Sequence, residues 1–65
     1  MTEFAITSHF VDAQDSSPDG MWSETDLWET IESVNAYIAK WRERGEVTLV
    51  TWTGPYSVEI NIRIP

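Results

Sequence analysis

The residues of this chain that could do chemistry are mostly carboxylates, and they crowd its first half. The stretch Asp15–Asp26 has aspartates at its first, fifth and twelfth positions and Gly20 at its sixth. Oxygen ligands spaced in this way around a glycine turn suit a calcium ion, with Asp15, Ser17, Asp19, the Met21 carbonyl, Ser23 and Asp26 as the ligand positions. The same residues also suit a helix start, with Ser23 as N-cap and Asp26 three residues on in a variant of the capping box. A third chemistry uses a wider set. Asp12, Asp15, Asp19, Glu24, Asp26, Glu29 and Glu32 form a negative series able to meet a positively charged protein surface.

Other chemistry is thinly represented. His9 is the only histidine and there is no cysteine, so thiolate metal sites and disulfides are ruled out. Ser8 adjoins His9, but strand alternation sends neighbouring side chains to opposite faces, which separates that pair. The glycine-rich phosphate-binding patterns are missing from the sequence. The expectation is a protein that is not an enzyme and needs no cofactor.

Charge sets the class of partner. Eleven acids against four bases give the 65 residues a formal net charge of −7. Residues 1–32 hold eight acids and no Lys or Arg, whereas Lys40, Arg42, Arg44 and Arg63 all lie in the second half. Nucleic acid and anionic membranes call for a basic footprint, so neither is an expected direct partner. The expected partner is a basic nucleic-acid-binding protein or complex, met by a monomer or weak dimer. No apolar run approaches the ~18 residues that span a membrane. The N-terminus lacks the pattern of a signal peptide, and the expected location is cytoplasmic.

These side chains need elements to position them. Residues 3–11 alternate, with Phe4, Ile6, Ser8 and Phe10 on one side, and predict a strand. Residues 12–22 predict an acidic loop. Leu27, Ile31, Val34, Ile38 and Trp41 recur in steps of four and three, widened by Trp28, and predict a helix over 24–44. Trp22 and Leu27 would staple its start, and Gly45 would end it in the left-handed conformation. Residues 46–53 and 56–64 predict two strands joined at Gly54–Pro55 by a type II′ turn. The expected fold is a single α+β domain, β-α-β-β. Its three-stranded antiparallel sheet has the order 1-3-2, with the helix over Phe4, Ile6, Phe10, Val58, Ile60 and Ile62. Thr7, His9, Glu59, Asn61 and Arg63 fall on the open face, with Val50 and Trp52 as further candidates.

Two resemblances follow. Asp15–Asp26 with the helix expected after it is similar to the loop and exiting helix of an EF-hand, and most of all to the calcium loops of dockerins. That likeness implies a calcium-binding module. It departs from the pattern in having Asp in place of Glu at the twelfth position, Pro18 within the loop and no second loop. The small size, the lack of catalytic groups and the acids at 12, 15, 19, 24, 26, 29 and 32 resemble small phage-encoded inhibitors that mimic DNA, including anti-CRISPR and anti-restriction proteins. This implies an inhibitor that blocks a nucleic-acid-binding host complex, such as a CRISPR effector, by imitating phosphates. An antitoxin or immunity protein neutralising a basic toxin would use the same charge.

Overall fold

A computed structural model describes residues 3–65. Its elements are β1 (Phe4–Asp12), a 3-10 turn (Pro18–Gly20), β2 (Met21–Trp28), α1 (Ile31–Arg44), β3 (Glu46–Gly54) and β4 (Ser57–Ile64). The class is α+β, with one helix on a mixed four-stranded sheet of order β2-β1-β4-β3. β1 and β4 run parallel at its centre, and the outer pairs β1–β2 and β3–β4 are antiparallel.

The main correction is β2. The sequence pattern predicts loop and then helix for residues 21–28, yet they pair with β1 over eight consecutive positions, from Phe4 opposite Trp28 to Val11 opposite Met21. The Leu27–Ile31–Val34 spacing imitates a helical stripe across a strand–helix junction. Pairing with β1 overrides that local pattern, as tertiary context often does. The extra strand adds one chain reversal. β4 therefore lies between β1 and β3, as the order 1-3-2 requires, but parallel to β1 instead of antiparallel. α1 links the two edge strands and so must cross one face of the sheet.

The start of the helix moves with this change. Thr30, in extended conformation, is the N-cap, and its hydroxyl accepts a 3.1 Å hydrogen bond from the Ser33 N–H. Ser23 lies mid-strand, so neither its capping role nor the Trp22–Leu27 staple exists. Leu27 is 63% exposed on the open face. The buried stripe is Val34, Tyr37 and Ile38, with Trp41 packed beside it. Tyr37 joins the core because its hydroxyl meets Ser8, a fully buried polar residue, at 2.8 Å.

Ile6 and Phe10 of β1 and Val58, Ile60 and Ile62 of β4 supply the sheet side of the core. Each such side chain contributes ~1.5–3 kcal/mol by leaving water. Val50 and Trp52 pair with Ile60 and Val58 and so belong to the helix side, not to the open face.

Both glycine turns differ from expectation. Gly45 ends the helix with φ −159°, an extended value, and no described residue has positive φ. Glycine is needed there for space, since a Cβ would sit 2.8 Å from the Arg63 carbonyl oxygen. The β3–β4 hairpin turns through Pro55 and Tyr56 between the paired Gly54 and Ser57. A type II′ turn needs positive φ at its first central residue, so this turn is not primed. Among the described residues, no helix is long and apolar enough to cross a membrane.

Candidate interaction surface

Beyond Asp12 the chain turns back through a loop tied by its own carboxylates. The Asp12 carboxylate accepts from the Gln14 N–H at 2.9 Å. Asp15 accepts from both the N–H and the hydroxyl of Ser17, at 3.0 and 2.6 Å, and these bonds hold its carboxyl below its ordinary value of 3.8. The turn Pro18–Gly20 then packs so closely that a Cβ on Gly20 would overlap the Asp15 carbonyl.

β2 follows, and its alternation divides the chemistry. Met21, Ser23, Thr25 and Leu27 lie on the open face, while Trp22, Glu24, Asp26 and Trp28 lie on the helix side, opposite Phe10, Ser8, Ile6 and Phe4. Trp22 stacks on Phe10 at 5.0 Å, which fixes one end of the strand. At the other end Trp28 contacts Tyr37 at 5.7 Å.

Glu24 and Asp26, between these aromatics, have no sheet neighbour on their outer side and border a groove against α1. The groove has a volume of about 520 Å³, and Trp28, Tyr37, Lys40 and Trp41 complete most of its wall. The Lys40 ammonium stands 5.7 Å from the centre of the Trp41 ring, a cation held against an aromatic face. The indole N–H groups of Trp28 and Trp41 are buried without an acceptor.

The expected acidic residues are thus placed as follows. Asp12, Asp15 and Asp19 sit at one end of β2, Glu24 and Asp26 lie along it, and Glu29 and Glu32 sit at its other end, in the turn and the first turn of α1. They run along β2 and the segments at its two ends, falling in β1, the 3-10 turn, β2 and α1 and the loops between them, and the expected row of Asp26, Glu29 and Glu32 on one helix does not form. Among the described residues, none of the seven is in an ion pair with Lys or Arg.

The calcium ligand set is not assembled. Ser23 and Asp26 project from opposite faces of a paired strand, and Ser23 is engaged by His9. Among the described residues, no group of three His, Cys, Asp or Glu could hold a metal ion.

One arrangement is absent from the sequence reading. On the open face His9 Nδ1 meets Ser23 Oγ at 2.8 Å, and its Nε2 meets Glu59 Oε1 at 3.2 Å. The line crosses β2, β1 and β4. Its serine, histidine and carboxylate are the residue types of an acyl-transfer triad, but they lie on an open sheet, with the His9 and Glu59 side chains 42% and 48% exposed. Ser23 can be found beside His9 only once β2 is known to pair with β1. No protein-family model, curated protein or solved structure matches this chain.

Proposed function

We propose that the protein is a small acidic inhibitor that binds a basic, nucleic-acid-binding protein or complex through the β2 margin and its flanking turns. The observation that carries this reading is a run of seven carboxylates along β2 and its flanking segments, none of them in an ion pair with Lys or Arg among the described residues, with Lys40 the one cation lining the groove beside Glu24 and Asp26. Glu24 and Asp26 stand two strand residues apart, a rise of ~6.8 Å. That equals two phosphate steps of ~3.4 Å along the axis of one DNA strand. A channel built for phosphates would meet these carboxylates with Lys and Arg and release counterions on contact. In this reading the Ser23–His9–Glu59 line is a cross-strand clip and the chain has no catalytic role.

The test is a partner captured from the native host, followed by competition. Glu29→Lys combined with Glu32→Lys should weaken binding strongly, since like charges brought together cost several kcal/mol. The fold should survive, because both residues are exposed. Added salt should weaken the complex steeply, and DNA should displace the protein. A complex that binds DNA and the protein together would contradict the reading.

A further inference from the structure

β2 has only one strand neighbour, so half of its backbone hydrogen-bonding groups face outward beside the groove. Proteins usually blunt such an edge with bulges, proline or a cover. β2 contains no proline and its register is unbroken. The other edge, β3, carries register irregularities between Val47 and Leu49 and between Trp52 and Gly54. Only β2 is a regular template for another strand.

Its side chains select what can pair there. In an isologous pairing with a second copy, Glu24 and Asp26 would stand opposite carboxylates, and like charges directly opposite are destabilising. A strand with cations at alternate positions would place them over Glu24 and Asp26, against the aromatic wall of the groove. Lys40 already shows that wall holding an ammonium. The intervening residues of such a strand would lie on the open face near Met21 and Leu27, which are 67% and 63% exposed. Apolar residues fit there.

We infer that β2 is a strand-addition site for an extended partner segment in which basic residues alternate with apolar ones. Cations face Glu24 and Asp26, and apolar side chains face Met21 and Leu27. This rests on the acidic-contact reading and adds to it a binding mode and a sequence pattern for the partner.

The probe is an acetylated, amidated peptide of about eight residues, the common strand length, alternating Arg and Val. Its control has the same residues sorted into an Arg block and a Val block, so charge and composition are equal. The alternating peptide should bind the full chain about tenfold more tightly than the blocked one, through several cross-strand pairs. Glu24→Lys with Asp26→Lys, in a chain still folded by circular dichroism, should erase that preference. Lys40→Gln should tighten binding several-fold by removing the resident cation. Equal binding of the two peptides would overturn strand addition while leaving the acidic contact standing. Failure of the folded chain to bind either peptide would overturn it as well. Loss of DNA competition by the captured partner, with the peptide preference intact, would instead remove phosphate mimicry and keep the strand site.

Discussion

The two edges of the sheet solve the same problem differently. β3 is irregular at two places, and its hairpin turns through Pro55 and Tyr56 without positive φ. Such a turn matches strand twist less well than a primed one, and the irregularity between Trp52 and Gly54 lies beside it. β2 keeps a straight register and carries carboxylates on its helix side. Irregular geometry discourages every incoming strand. Charge discourages acidic strands, including copies of itself, and leaves a basic strand welcome. A charged regular edge is therefore a selective edge.

The largest way to break this contrast is to detach β2 from the core. Phe10 is 2% exposed and lies between Trp22 of β2 and Trp41 of α1. Phe10→Ala should cost about 3–5 kcal/mol, comparable with the whole stability of a domain this small, and should leave the chain largely unfolded. Trp52→Ala on β3, where the ring is 45% exposed, should cost only about 1 kcal/mol. Urea unfolding followed by circular dichroism separates the two. Equal losses would mean that the Trp22–Phe10–Trp41 packing holds β2 no better than the exposed Trp52 ring holds β3.

A smaller effect tests the joint between α1 and the sheet beside β2. Ser8→Ala leaves the Tyr37 hydroxyl without its partner and should cost about 1–3 kcal/mol. Adding Tyr37→Phe should restore part of that loss, because no unpaired polar group then remains. A double variant as unstable as the sum of the two singles would show the bond to be incidental.

Below this lies the helix boundary, where the strand identity of β2 is tested directly. Thr30→Ala should cost about 1 kcal/mol through the lost cap. Ser23→Ala should cost less, about 0.5 kcal/mol, through the loss of its exposed hydrogen bond to His9. The reverse ranking would restore a helix beginning near residue 24.

The smallest effect concerns the loop leading into β2. Asp15 has a lowered carboxyl value because of the hydroxyl and N–H of Ser17. A group lowered in the folded state stabilises above its ordinary value of 3.8 and loses that contribution as pH falls through the folded value. The stability gap between parent and Asp15→Ala should therefore narrow as unfolding is repeated from neutral pH to below 3.8. A gap that widens in acid would contradict the Ser17 hydrogen bonds.

The sequence shows β1 and β4 because each alternates cleanly and their core residues fall on one face, and it shows β3 through its β-branched and aromatic residues, although the irregularity between Val47 and Leu49 breaks the alternation there. It hides β2. Glu24 and Asp26 are poor strand formers, and their alternation with Ser23 and Thr25 is polar on both sides. Only Trp22 and Trp28, an even number of residues apart, signal the strand, and the overlapping Leu27–Ile31 spacing masks them. A helix assigned to that segment puts the cap at Ser23 instead of Thr30 and the acids on a helix face. The acidic residues themselves are legible from composition. Their arrangement along a sheet margin is not, because it depends on long-range pairing with β1.

The two edges part most directly over which of them receives an added basic strand. Amide hydrogen exchange, residue by residue, on the full chain alone and saturated with the alternating Arg–Val peptide, reads this without assuming a partner. The outward amides of Met21–Trp28 should slow markedly, while those of Glu46–Gly54 keep their rates. Slowing along Glu46–Gly54 with Met21–Trp28 unchanged would contradict the assignment of β2 as the receiving edge.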